Sequence, residues 1–104
     1  MKKPETKFKE AFLKKLRSIP LVWAEKIQQV ALRGTPDILC CVAGIFVAIE
    51  LKDLGEEMDP LQTYKCELIR NAGGYYFVAT KENCFQVLSE IKKIVESNEG
   101  NMRC

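Results

Sequence analysis

The chain has 104 residues, 47% of them hydrophobic and 29% charged, a length and balance that fit one globular domain and leave no room for a second independent core. Its longest apolar run, Ile38 to Ile49, is interrupted by Gly44 and falls well short of the ~20 residues a membrane-spanning helix needs. The absence of histidine excludes Ser-His and Cys-His catalytic pairs and imidazole metal sites, so any chemistry rests on carboxylates and lysines.

Cysteines 40, 41, 66, 84 and 104 are odd in number and lack C-x₂-C spacing, which argues for reduced thiols, with Cys40 and Cys41 acting as small hydrophobes in an apolar run. The Met1–Glu5 start leads into an amphipathic pattern and not a signal peptide, so the expected location is the cytoplasm. Charge is divided along the chain. Residues 1–17 hold seven Lys or Arg against two Glu, and residues 50–59 hold five acids against Lys52 alone. A basic element beside an acidic centre suits a polyanion held near a cation site.

In chain order, Phe8, Ala11, Phe12, Leu16 and Ile19 recur at three- and four-residue steps and predict a helix over roughly 5–17, ended by Pro20. Residues 21–27 form a strand and 28–35 a loop. Two near-continuous apolar runs, 38–42 and 45–51, flank Ala43-Gly44 and predict a hairpin covered on both faces. An acidic loop, 53–58, precedes a helix start in which Asp59 is the N-cap, Pro60 stands at N1 and Gln62 closes a capping box. The buried stripe of that helix is expected to be Leu61, Tyr64, Leu68, Ile69 and Ala72, with Gly73-Gly74 as its end. A strand over 75–79 follows. Thr80 is expected to cap a last helix burying Phe85, Leu88, Ile91 and Val95, before a frayed polar tail, 97–104. The order α-β-β-β-α-β-α describes an α/β domain with a mixed sheet flanked by helices, its core spanning about 4–95.

The hairpin carries the chemistry. With its turn centred between Ala43 and Gly44, Asp37 faces Glu50, and like charges so placed repel unless something neutralises them. Lys52 lies two residues past Glu50, on the same face. Each residue has an ordinary structural role available, Asp37 as a strand start and Gln62 as a cap. Their convergence is what points to function. Two carboxylates and the Leu51 backbone carbonyl form an open oxygen site for Mg²⁺ or Mn²⁺, and Lys52 can orient an attacking water in phosphodiester hydrolysis.

The set Gly34-Thr35-Pro36-Asp37 followed by Glu50-Leu51-Lys52 resembles the PD-(D/E)xK nuclease superfamily with its restriction-endonuclease-like core, and within it the stand-alone virus-type replication-repair nuclease (VRR-NUC) domain. The resemblance implies that Asp37, Glu50 and the Leu51 carbonyl bind Mg²⁺ or Mn²⁺ and that Lys52 assists the water. It implies that Glu5, with Glu10 as the alternative, is a helix-one acid reaching the metal directly or through water, and that Gln62 is the helix-two glutamine of the site. It further implies a homodimer that resolves four-way (Holliday) DNA junctions, and the short stand-alone form suggests a phage or prophage setting. Tyr64, Tyr75, Tyr76 and Phe77 are the aromatic residues expected to supply the dimer surface. Lys2, Lys3, Lys7, Lys9 and Lys14 are the expected DNA contacts. The chain departs from the usual pattern at Glu56-Glu57-Met58, where a basic or small residue often stands. A flap or single-strand-end nuclease, or a non-catalytic nucleic-acid-binding module on the same fold, are the alternative readings.

Overall fold

The computed structural model describes residues 4–27, 34–53 and 55–99, and for residues 4–6 the backbone alone. The expected loop from 28 thus lies largely outside the described residues. The elements are α1 (Pro4–Arg17), β1 (Val22–Lys26), β2 (Ile38–Val42), β3 (Ile45–Leu51), α2 (Pro60–Asn71), β4 (Tyr75–Ala79) and α3 (Cys84–Asn98), in the expected α-β-β-β-α-β-α order. One sheet runs β1-β2-β3-β4; the first three strands are antiparallel and β4 is parallel to β3. The α2 crossover is what allows that parallel pairing.

The β2–β3 hairpin has the expected register, with Val42 opposite Ile45, Leu39 opposite Ala48 and Ile38 opposite Ile49. Both turn residues have positive φ, Ala43 at 48° and Gly44 at 87°, the backbone demanded by a two-residue hairpin loop. Alanine is held there because its side chain is buried and its N–H donates to the Leu21 carbonyl at 2.8 Å.

Strand alternation divides the sheet into two unlike faces. One, carrying Ala24, Ile38, Cys40, Val42, Val47, Ile49, Leu51 and Ala79, packs against Phe12 and Leu16 of α1 and Val87, Leu88, Ile91, Ile94 and Val95 of α3. Burying each large side chain there contributes roughly 1.5–3 kcal/mol. The other face is covered by α2 through a smaller cluster of Ala48, Cys66 and Tyr76, with Leu39, Met58, Ile69 and Val78 packed against it.

Several expectations are corrected. In α2 the buried side chain is Cys66, with Ile69 partly buried, while Leu61, Tyr64, Leu68 and Ala72 are exposed. The helix carries two apolar stripes, and periodicity does not say which one meets the sheet. Phe85 is also exposed, with the Lys15 ammonium over its ring, and Val87 and Ile94 join Leu88, Ile91 and Val95 on the buried face of α3. Thr80 does not cap that helix. Its N–H donates to Asn83 Oδ1 (2.7 Å), and its hydroxyl accepts the Asn83 N–H (3.3 Å) in a turn that precedes it. The polar segment expected to fray from Ser97 is helical through Asn98, and 100–104 lie outside the described residues. Cys40 is buried, which pushes its thiol up to about 12, with Cys41 beside it as a smaller cause. Cys41 points to the opposite face and is exposed, so it is not a core residue. Cysteines 40, 41, 66 and 84 are free thiols.

Candidate metal and nuclease site

Asp37 enters the sheet by its side chain. It stands one residue before β2; its carbonyl accepts the Ile27 N–H (2.7 Å), and its Oδ2 accepts the Leu51 N–H at 2.7 Å. The turn before it depends on Gly34, whose φ of +81° suits glycine and whose missing side chain admits Leu61 of α2. A Cβ at Gly34 would lie 2.9 Å from the Leu61 carbonyl carbon.

Glu50 lies on the same face near the end of β3 and is buried. Asp37 faces Glu50 across the hairpin, one step beyond the Ile38–Ile49 pair. Burial first, then hydrogen bonding to Asp37 and its charge, push the Glu50 carboxyl up to about 8, against the opposing pull of Lys52 and Tyr76. Two neutral donors hold the two oxygens of the carboxyl. Gln62 Nε2 donates to Oε1 at 3.0 Å and the Tyr76 hydroxyl donates to Oε2 at 3.3 Å.

Gln62 holds Glu50 with one end of its amide and closes the capping box with the other. Its Oε1 accepts the Asp59 N–H (3.0 Å), and its own N–H donates to Asp59 Oδ1 (2.9 Å). The first turn of α2 is thus locked against β3.

Lys52 is buried with Glu50, its N–H bonded to the Ala79 carbonyl at 3.0 Å in continuation of the β3–β4 ladder. Its Nζ lies 3.5 Å from Glu56 Oε2, and Glu56 Oε1 accepts the Asp53 N–H at 3.0 Å. The Asp53 N–H, and then Lys52 and Lys9, hold the Glu56 carboxyl below its ordinary range, although desolvation opposes them. Glu56 is thus a latch on the lysine.

Asp37, Glu50, Lys52 and Gln62 converge as the sequence implied. The side chain of Glu5 and all of Lys2 and Lys3 lie outside the described residues, so Glu5 is placed only by its backbone in the first turn of α1, while the alternative acid, Glu10, is exposed on the same helix. Lys9 sits close enough to act on Glu56, whereas Lys7 and Lys14 are simply exposed on α1. Tyr76, expected at a dimer surface, is buried in the site, and Phe77 is partly buried; Tyr64 and Tyr75 are exposed. Strand parity places Tyr76 only once the parallel pairing of β4 with β3 is known. It pairs with Ala48, so it sits diagonal to Glu50 on the same face. Lys65 is another missed residue, its Nζ donating to Thr35 Oγ1 at 3.2 Å just ahead of Asp37.

Among the described residues no three His, Cys, Asp or Glu side chains form a ready cage for a metal ion. The donor set nonetheless fits a hard divalent cation. Asp37 and Glu50 face each other across the hairpin, and with the Leu51 carbonyl they would hold such an ion while leaving positions for water and a phosphate oxygen.

The chain is an α/β domain whose mixed sheet bears two acids and a lysine at the end of its central hairpin. More narrowly, the fold is that of a VRR_NUC domain. A solved structure described as a "VRR_NUC domain" superimposes with a TM-score of 0.64 and 21% identity, covering 88% of this chain and 94% of the other. No family model and no curated protein matches the sequence.

Proposed function

We propose that the protein is a Mg²⁺- or Mn²⁺-dependent, structure-selective endodeoxyribonuclease that hydrolyses phosphodiester bonds in four-way DNA junctions and acts as a homodimer. The observation that carries this reading is the Asp37–Glu50 pair, set opposite one another by the hairpin register, with buried Lys52 beside it. A purely structural role gives no reason to set two carboxyls side by side at a half-buried site. The VRR_NUC fold supports the same reading.

When bound, the divalent cation supplies Lewis-acid polarisation of the phosphoryl group and a more acidic water. Asp37 and Glu50 hold the cation, with Leu51 contributing its carbonyl. Lys52 orients the attacking water and offsets negative charge developing on phosphorus. Gln62 and Tyr76 position Glu50. Glu56 fixes Lys52 between turnovers, and Lys9, Lys65 and the basic last turn of α1 offer phosphate contacts whose strength falls with rising salt. Recognition is by DNA shape, because nothing here resembles a helix built to read the major groove.

The test is incubation with labelled four-way junction, flap, linear duplex and single strand, in Mg²⁺, in Mn²⁺ and in EDTA. Junction cleavage that EDTA abolishes is the expected result. Preferred cutting of flaps or single-stranded ends would move the substrate assignment, and binding without cutting under every condition would overturn the enzymatic reading.

A further inference from the structure

Among the described charged residues only Glu50 and Lys52 are buried. Glu50 has neutral donors, Gln62 and Tyr76, on its two oxygens, whereas the ion pair of Lys52 is with Glu56. That pair is lopsided. The Lys52 side chain is 6% exposed and the Glu56 side chain 49%, so the carboxylate is the member that meets solvent. A buried ammonium group without a partner is costly, and an anion has to stand beside it.

Glu56 fills that position as a phosphate would. Its Oε2 lies 3.5 Å from Lys52 Nζ while its Oε1 accepts the Asp53 N–H at 3.0 Å, so one anionic group bridges a side-chain cation and a backbone donor. The Glu56 N–H in turn donates to the Asp53 carbonyl at 3.1 Å, a tight turn that brings the side chain back to the lysine four residues earlier. The Asp53 N–H, and after it Lys52 and Lys9, keep the carboxyl ionised. Donors converging on two oxygens of one group are what a phosphate needs, and a carboxylate is the nearest equivalent the chain itself can supply.

We propose that Lys52 Nζ and the Asp53 N–H form a phosphate-binding site whose resting occupant is the Glu56 carboxylate, displaced by a backbone phosphate when DNA binds. That the incoming phosphate belongs to DNA rests on the nuclease reading; the donor pair and its occupant do not. The exchange replaces one anion by another, so the buried ammonium group keeps a counter-ion throughout, and Glu56 is released into the solvent its side chain already meets. The exchange has an electrostatic signature. A DNA phosphate that meets an unpaired cation releases condensed counter-ions to solution, whereas here the freed carboxylate gathers cations as the phosphate gives them up, and the two effects cancel. One phosphate contact is therefore missing from the salt dependence of the wild type.

Junction binding followed by fluorescence anisotropy in EDTA, over a range of salt concentrations, tests it. Glu56→Gln keeps an oxygen for the Asp53 N–H and removes the charge. It should bind about 5-fold tighter than the wild type, the scale of one ion pair no longer competing, with the slope of log affinity against log salt steeper by ~0.9. Glu90→Gln is the matched control, since Glu90 pairs with Lys93 at 3.4 Å and its side chain is 43% exposed, but on α3. It should bind as the wild type does. Pyrophosphate without DNA should raise the melting temperature of Glu56→Gln more than that of the wild type. In the wild type itself the carboxyl-carbon NMR signal of Glu56 should move on junction binding, a readout that holds even where circular dichroism shows Glu56→Gln unfolded. Unchanged affinity or salt slope in folded Glu56→Gln, an equal gain in Glu90→Gln, no extra stabilisation by pyrophosphate, or an unmoved Glu56 signal in the bound wild type would each overturn the proposal. Pyrophosphate binding needs neither DNA nor catalysis, so a protein that shows it as stated without cutting DNA would defeat the nuclease reading and leave this site standing.

Discussion

Asp37 Oδ2 accepts the backbone N–H of Leu51 at 2.7 Å, so the acid that opens one arm of the hairpin is tied to the other arm at the residue following Glu50. A single carboxylate thereby supplies a ladder bond and a candidate metal ligand. Asp37→Asn keeps an oxygen acceptor for that N–H and removes the charge. It is expected to fold with near-parent stability and to lose cleavage by at least ~100-fold, the scale of losing one charge-stabilising group. Asp37→Ala also leaves the N–H without its acceptor and should cost about 1–3 kcal/mol more in denaturant titration. Either variant cutting at the parent rate would remove Asp37 from the site.

Lys52→Ala is expected to retain junction binding in gel shifts while cleavage falls by ~100-fold or more, because the ammonium group acts as charge develops on the phosphate. It leaves Glu56 without its 3.5 Å partner, although the Asp53 N–H still holds that side chain. Unchanged single-turnover cleavage would refute the role given to Lys52.

The raised Glu50 carboxyl fixes a pH dependence. Its ordinary value is 4.5 and the folded protein pushes it up to about 8, so the folded state binds the proton more tightly than the unfolded chain. The stability this contributes is complete below about 4.5 and disappears as pH rises through about 8. Cation-free melting temperatures should therefore fall across that window, and Glu50→Gln should flatten the decline. Added Mg²⁺ or Mn²⁺ should raise the melting temperature more at pH about 8 than at pH about 6, because at the higher pH less proton has to be displaced. A flat cation-free profile for the parent would contradict the Asp37–Glu50 contact.

Gln62 can be divided into its two roles. Gln62→Glu keeps a capping-box acceptor for the Asp59 N–H and replaces the donor to Glu50 by a carboxylate. Helix stability should be near parental at low pH, with cleavage reduced ~10-fold or more at neutral pH. Gln62→Ala loses both contacts and should cost roughly 1–2 kcal/mol. Equal activity of the Glu variant and the parent would leave Gln62 as a cap alone.

Tyr76→Phe removes one hydroxyl from a buried position and leaves the ring packed with Ala48 and Cys66. Loss of a bond that orients a metal ligand typically costs ~10–100-fold in metal affinity or activity, so Mn²⁺ binding followed by calorimetry should weaken on that scale. An unchanged affinity would show that the hydroxyl merely satisfies itself.

Much of this was legible from residue order. The hairpin register follows from apolar runs flanking Ala43-Gly44, and that register alone brings Asp37 to Glu50. The Asp59-Pro60-x-Gln62 start is equally local. What stayed hidden depends on tertiary choice. Helix α2 has Leu61, Tyr64 and Leu68 on one stripe and Cys66 and Ile69 on another, and the sheet selects the second. Phe85 looked like core because aromatic residues favour burial, yet it lies under the Lys15 ammonium, 4.6 Å from its ring centre, at the surface. Tyr76 was readable as a strand residue but not as a partner of Glu50, because that bond depends on which strand β4 joins and in which direction.

The shared use of the Gln62 amide makes the opening of one helical turn and the release of Glu50 a single event. Proton–deuterium exchange at the Asp59 amide, far along the chain from Asp37, therefore reports how often the acidic pair loses its support, in a resting molecule and without any substrate.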